Sequence, residues 1–479
     1  MKRHIHAAEY AGALLCALCG WLSVGQAAAA VQAQVIIADG TDAVSAAGAE
    51  DEAVSASASF VQSLSRTLES GTVEDALALF ERAPEEAAAD FDIQLLHASL
   101  LLSAGDAEAA RGIADTLIAQ EPENTDALML GALAAKYSGD SRTKSALLKR
   151  VLEINPSDPD ANAELANEQM LRRNYKLART YYQRGLAGSP EDETALFGLG
   201  QTSYYLGDLK TAERAFNKLL SLDAEHAFAW AYLGKLERES ENYLKAADCV
   251  QKAIDIDPSV YDFWMDYGSY QRGMGLFDEA EAAWKEAVSL DPDYFLAHAY
   301  LAGLYDEQGM FDEALAEYEA VVRLNPEYYF AYESLGMLSW RAGRYAQARG
   351  AFEKAFAAAG GDVSRTVSYP LMIAASYLAE GSARACRDTV SRAMRNMDTS
   401  TPVYAVLRLY YDGLNITTAA QKVRNEPDRN QRGRLLYYIG LYCALNGDEV
   451  GAMQYYTEVM NTNSPMFFEY RLAEWGLEG

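Results

Sequence analysis

Residues 258–292 read PSVYDFWMDYGSYQRGMGLFDEAEAAWKEAVSLDP, and the placing of Pro, Gly, Ala and the aromatic residues in this stretch decides the fold. Trp264, Tyr267 and Gly268 fall at i, i+3 and i+4, one helical face on which the glycine lets a second helix come close. Gly275 ends that helix, because glycine accepts the left-handed conformation that closes helix C-termini. A second helix then carries Ala280, Trp284 and Ala287 on one face, small beside large beside small, a pattern suited to interlocked packing. Asp291-Pro292 closes it and opens the next unit, since proline cannot continue a helix yet suits a first turn.

Working outward, the same unit recurs every 34 residues. Pro122, Pro156, Pro190, Pro258, Pro292 and Pro326 share one register, with Ala224 at the missing beat. Gly71, Gly105, Gly139, Gly207, Gly275, Gly309 and Gly343 form a second series in the same phase. Arg173 and Glu241 stand where glycine is expected, each beside an asparagine (Asn174, Asn242) able to take the left-handed turn. The register runs from Val54 to Ala359, which is nine units of 34. A fixed period of this length implies stacked helical hairpins, and stacked units build a surface more readily than a pocket.

The pattern resembles the tetratricopeptide repeat, W-x2-L-G-x2-Y followed by A-x3-F and then Pro. Trp230, Leu233-Gly234, Ala246 and Pro258 follow it, as do Leu199-Gly200, Gly207 and Ala212-x3-Phe216. Leu301, Tyr305, Gly309, Ala314-x3-Tyr318 and Pro326 follow it again, and so do Leu335-Gly336, Gly343 and Ala348-x3-Phe352. The resemblance covers residues 54 to about 477 and implies an all-α, right-handed superhelical solenoid of about twelve such repeats. It also implies a protein–protein interaction role, with the first helix of each unit lining a concave groove. In that alignment Phe197, Gln201, Tyr204, Phe228, Lys235, Arg238, Asp262, Arg272, Leu296, Asp306, Phe330 and Trp340 fall near the groove and are the candidate partner-binding residues. Large stiff aromatics suit such a surface because they gain contact area at small entropic cost. A clamp subtype of the family holds acidic chaperone C-termini with basic residues, but its positions here carry Met129, Ala163, Phe197, Ala231 and Met265, so that mode is not expected.

Both ends depart from the regular array. Lys2 and Arg3, an apolar stretch from Tyr10 to Val24 and the run Ala27–Ala30 make residues 1–30 read as a cleavable secretory signal. The alternative is an uncleaved N-terminal anchor in the inner membrane, although the apolar stretch is short for a span. Leu15 and Leu18 precede Cys16 and Cys19 where lipidation needs a small residue. Residues 31–53, rich in Ala, Ser and Gly, read as a flexible linker. At Gly360-Gly361 the register slips by four; diverged units follow over 364–463, and Phe468, Leu472 and Trp475 line a final helix over 465–477 that reads as a terminal cap.

Little points to chemistry. The formal charge of −28 argues against nucleic acid and anionic membrane surfaces as partners. After signal removal only Cys249, Cys386 and Cys443 remain, an odd number at long spacings, which reads as buried thiols. The five histidines lack ligand spacing, and no phosphate-loop, zinc-protease or nucleophile-elbow motif occurs. Asp158, Asp160, Asn162 and Glu164 alternate like a calcium loop, but Ala163 and Gln169 stand where that loop needs Gly and Glu, so a capped helix start is expected. Asn415-Ile416-Thr417 is a glycosylation sequon only in a host that glycosylates exported proteins. No metal or cofactor is expected, and nothing in the sequence sets an oligomeric state. Residues 258–327 hold fifteen acidic side chains against Arg272, Lys285 and Arg323, whereas 365–434 are basic on balance. The acidic stretch suits a partner with a basic segment. The expectation is thus a non-enzymatic adaptor or scaffold of the bacterial periplasm or cell envelope, with no membrane insertion after signal cleavage. The alternative is a small-molecule or glycan-binding module using the aromatic groove.

Overall fold

The computed structural model of the chain describes residues 50–360 and 367–478. The expected signal at 1–30, residues 31–49 of the expected linker and the expected restart at Ser364 lie outside the described residues. Within them every regular element is a helix: twelve helix–turn–helix pairs, one short extra helix after the first pair, and a single last helix. None of these helices is long and apolar enough to cross a membrane. The chain divides after Ser240 into two compact units.

The first unit starts with α1 (Glu50–Ser70), which takes in the last residues of the expected linker, then α2 (Val73–Phe80) and the short α3 (Glu85–Ala89). Regular pairs follow: α4 (Phe91–Ser103) with α5 (Ala107–Gln120), α6 (Thr125–Tyr137) with α7 (Ser141–Ile154), α8 (Pro159–Leu171) with α9 (Tyr175–Gly188), and α10 (Glu193–Tyr205) with α11 (Leu209–Leu222). The unit ends with α12 (Ala227–Glu239). The second unit runs from α13 (Tyr243–Ile256) through α14 (Tyr261–Gly273), α15 (Phe277–Leu290), α16 (Phe295–Glu307), α17 (Phe311–Leu324), α18 (Phe330–Arg341) and α19 (Tyr345–Ala358). Beyond residues 361–366 come α20 (Ser368–Ala379), α21 (Ala383–Ala393), α22 (Pro402–Asp412), α23 (Ile416–Arg424), α24 (Arg429–Leu445), α25 (Glu449–Met460) and α26 (Phe468–Glu478).

Local chemistry starts and stops each helix. Asp90, Asp106, Asp140, Asp158, Asp192 and Asp208 each accept a backbone N–H of the turn they precede, which satisfies donors that a helix start leaves open. Gly105, Gly139, Gly207, Gly275, Gly309 and Gly343 have φ between 70° and 87°. At the two beats without glycine the sequence expectation needs correction. Arg173 (φ 57°) and Glu241 (φ 56°) themselves adopt the left-handed turn, while Asn174 (φ −87°) and Asn242 (φ −89°) stand at the N-cap of the next helix. Gly71 departs in the other direction: it is not left-handed, and Thr72 and Asp75 close that turn with a reciprocal capping box.

Pairs are locked by glycine against aromatic. A Cβ on Gly200 would lie 2.4 Å from the Phe216 ring, and Gly268, Gly336 and Gly440 face Trp284, Phe352 and Tyr456 in the same way. Each aromatic is sixteen residues after its glycine. A second recurrent device ties four of the first helices to the linkage before them. Trp230 Nε1 donates to the Ala224 carbonyl (3.0 Å), Trp264 Nε1 to that of Pro258 (2.9 Å), Asn162 Nδ2 to Pro156 (3.1 Å) and Tyr332 Oη to Pro326 (3.1 Å). All four span six residues, so the indole of the repeat signature caps a helix approach instead of facing a groove.

Within the first unit α4 touches α6, and α8 touches α10, which touches α12, so these first helices stand side by side. In the second unit α20, α22 and α24 all touch one another, a tighter winding than in the regular array. Cys386 and Cys443 are buried there as expected, and burial pushes both thiols up to about 11.

The interlock and the turn make different demands on glycine. Gly207→Ala meets no neighbouring atom and should cost only the backbone penalty, about 1 kcal/mol. Gly200→Ala drives a methyl into the buried Phe216 ring and should cost about 2–3 kcal/mol. Denaturant midpoints of the two variants read the difference; equal losses would contradict this account of the packing.

Candidate interaction surface

On the first unit the structure brings several of the expected partner-binding residues together around one tyrosine that the sequence reading missed. Tyr232 on α12 stacks on Phe216 with centroids 5.2 Å apart and meets the edge of Phe197 at 5.7 Å and of Tyr204 at 5.8 Å. Gln201 Nε2 donates to Tyr232 Oη (3.1 Å), and the Tyr232 and Tyr205 hydroxyls share a hydrogen bond at 3.1 Å. Lys235 sits over the Tyr232 ring with Nζ 5.3 Å from its centroid, a cation–π contact. Tyr204 Oη and Arg238 Nη2 both reach Glu239 Oε1. Burial raises the Tyr204 hydroxyl pKa, so it stays a donor. Tyr205 extends the group outward by stacking on Tyr175 at 4.8 Å and is 38% exposed. Phe228, on the same helix as Tyr232, is half-buried.

This arrangement follows from repeat geometry. Gln201 and Tyr232 are 31 residues apart, so equivalent faces of α10 and α12 stand side by side. Tyr232 escaped notice because its role depends on neighbours in the preceding repeat, and no local motif carries that. The paired tyrosines at 204 and 205 were the available signal.

The expected residues of the second unit do not form one face. Leu296 and Trp340 pack into the hydrophobic core, and Trp340 also meets Tyr345 at 5.0 Å. Arg272 grips Glu307 Oε2 through Nε and Nη2 (3.1 and 2.7 Å). Asp262 is half-buried near the start of α14. Phe330 is 85% exposed and ends an aromatic row in which Tyr261 meets Tyr294, Phe295 meets Tyr328, and Tyr328 meets Phe330.

Asp306 is already engaged, and by this chain. Arg471 of α26 donates from Nη1 to Asp306 Oδ2 and from Nη2 to Oδ1, both at 2.7 Å, with a third bond to the Asp306 carbonyl at 3.1 Å. Trp475 meets Phe311 edge-on at 5.1 Å, and Phe468 stacks on Phe352 and Tyr369. The last helix therefore differs from the simple end cap that the sequence suggests. Besides packing on α24 and α25, it reaches residues of α16, α17, α19 and α20. Tight winding of α20, α22 and α24 brings it back there.

The alternating acids at 158–164 start a helix, as expected: Asp158 Oδ1 accepts the Ala161 N–H at 2.9 Å. Asp160 is pushed up to about 6 by burial and by the charges of Asp158, Asp192 and Glu164.

Two segments of the sequence match family models for the tetratricopeptide repeat, residues 197–261 and 271–335. These two segments carry tetratricopeptide repeats, the helix pairs on either side of them keep the same phase, and arrays of this kind serve as protein-interaction surfaces. Among solved structures, a tetratricopeptide repeat protein from Parabacteroides merdae is 20% identical, with 52% of this chain and 97% of that one covered at a TM-score of 0.40. YrrB, described as a TPR protein with an unusual peptide-binding site, is 20% identical over 39% of this chain and 96% of its own at 0.33. MamA is 23% identical over 34% and 95% at 0.32. No sequence among curated proteins matches the chain.

Asp160 gives the surface a pH dependence with a definite sign. Its folded pKa lies above its ordinary value of 3.8, so its favourable contribution is complete below that value and fades as pH rises through 6. Asp160→Asn should raise stability by about 1 kcal/mol at pH 8 and by nothing at pH 3.5. Denaturant midpoints at the two values check this; a gain equal at both would remove the titration argument.

Proposed function

We propose that this protein is an exported, non-enzymatic adaptor of the bacterial periplasm or cell envelope that holds segments of other proteins against the first-helix face of α10 and α12. The observation that carries the reading is the Tyr232 cluster. Its ring is fixed by Phe216 beneath, its hydroxyl is oriented by Gln201, and Tyr205 and Lys235 flank it. Rigid amphipathic aromatics with ordered polar tips lose little entropy on contact with a partner. Lys235 and Arg238 add positive charge to an otherwise acidic chain and favour polar or acidic partner segments at this face. The acidic stretch at 258–327 suits basic segments, although Asp306 and Glu307 already hold Arg471 and Arg272. Export rests on the charged start, apolar stretch and alanine run of residues 1–30.

Two measurements test the reading. Sequencing the mature N-terminus should find the chain starting close to residue 30, and an intact Met1 would end the cleaved-signal proposal. Crosslinked partners of the native chain, recovered from the envelope, should include at least one lost from a Tyr205→Ala/Lys235→Glu variant of unchanged melting behaviour. An identical partner set would sink the Tyr232 face as the binding site.

A further inference from the structure

The sequence suggests that a basic element docks on the acidic stretch around Asp306, and the structure contains such an element in α26. Arg471 is seated bidentate on Asp306, 165 residues away, and the Asp306 side chain is only 13% exposed. The guanidinium of Arg471 also lies 4.6 Å from the Trp475 centroid, and that of Arg341 lies 4.2 Å from the Phe311 ring and 5.0 Å from Trp475. Phe468 fills the other end of the contact between Phe352 and Tyr369. Phe468, Arg471 and Trp475 are spaced three and four apart, so they share one face of the helix.

One residue of α26 does not suit a permanent core helix. Glu469 is fully buried. Tyr438 Oη stands 2.9 Å from both the Ser368 carbonyl and Glu469 Oε1. A phenol has one proton and a carbonyl only accepts, so both contacts form when Glu469 keeps its proton and donates to Tyr438. Burial raises its pKa in the same sense. The groups facing it are Tyr438, Tyr437 and Arg434 from α24, and Ser368 and Tyr369 from α20, the latter donating to Glu333 of α18. The Ser368 and Tyr438 hydroxyls, a backbone N–H and Arg434 favour the charged carboxylate, and burial outweighs them. Seating α26 therefore buries a carboxyl in its first turn, which an apolar residue would avoid.

We propose that the surface built by Asp306, Phe311, Arg341, Phe352 and Tyr369 receives an amphipathic helix of a partner protein, and that α26 occupies it in cis as a displaceable resident. The partner helix carries an aromatic residue, an arginine three positions on and a tryptophan four beyond that, with an apolar residue in place of the carboxyl next to the first aromatic. This surface stands on residues other than those of the Tyr232 cluster, so failure of either proposal leaves the other intact.

The test uses the full chain and labelled synthetic peptides of residues 464–479. A peptide carrying Glu469→Leu should bind the wild-type chain about tenfold more tightly than the native peptide at pH 8. The gap should narrow at pH 5, where protonating the native carboxyl costs less. The Arg471→Glu chain should bind the native peptide about tenfold more tightly than wild type does, and the double variant Asp306→Arg/Arg471→Glu should exclude it again. If Arg471→Glu impairs folding, Arg471→Lys, which keeps the charge without the fork, carries the same comparison. Hydrogen exchange at residues 470–478 provides the second reading. Protection equal to that of α24 in every variant would make α26 a permanent core helix and overturn the proposal. An exposed α26 with no peptide bound would overturn it too.

Discussion

Four helix pairs of this fold depend on a glycine of the first helix meeting an aromatic ring of the second helix sixteen residues later. Gly200 and Phe216, Gly268 and Trp284, Gly336 and Phe352, and Gly440 and Tyr456 repeat one contact. The missing side chain on one helix is the space into which the ring of the other fits, so the pair cannot slide without losing core packing. With that depth fixed, the turn between the helices must fall at one position. Arg173 and Glu241 keep the turn at the same beat in a backbone conformation that costs about 1–2 kcal/mol without glycine.

This hierarchy explains which parts of the molecule the sequence reveals. Pro, Gly and small–large–small patterns recur because every unit must solve the same packing problem, so helix pairs, turns and the slip after Ala359 are legible. The exceptions are side chains whose partners belong to another unit. Trp230 and Trp264 match the repeat signature, but only coordinates show their indoles capping the carbonyls of Ala224 and Pro258. Tyr232 gains its setting from Gln201, Tyr205 and Phe216, all in the preceding pair. The acidic character around Asp306 is plain in the sequence. Its counterpart Arg471 lies far along the chain and outside the periodic register, where no spacing rule reaches it.

The break in period also explains how that counterpart arrives. The left-handed turn positions Gly343, Gly381, Gly413 and Gly447 are separated by 38, 32 and 34 residues, unlike the constant step before them. Unequal units do not stack with a constant rotation. In this section α20, α22 and α24 pack against one another, and α24 touches α26. The winding thus tightens enough for a helix at the very end of the chain to meet α16 and α17.

Net charge does not bring it there. Besides Arg471, α26 carries Glu469, Glu474 and Glu478, so it holds more acidic groups than basic ones while facing an acidic stretch. Long-range attraction would repel such a helix, and physiological salt damps what remains beyond about 8 Å. What holds it is short-ranged: two parallel N–H···O bonds on a nearly buried carboxylate, aromatic rings on both sides, and a hydrogen bond between Tyr438 and the buried Glu469. A bidentate guanidinium–carboxylate pair rewards one geometry and discriminates against lysine or a misplaced arginine. Recognition at this surface is therefore set by the position of three side chains on a helix face, and the acidity of the surrounding stretch selects among candidates only after that geometry is met.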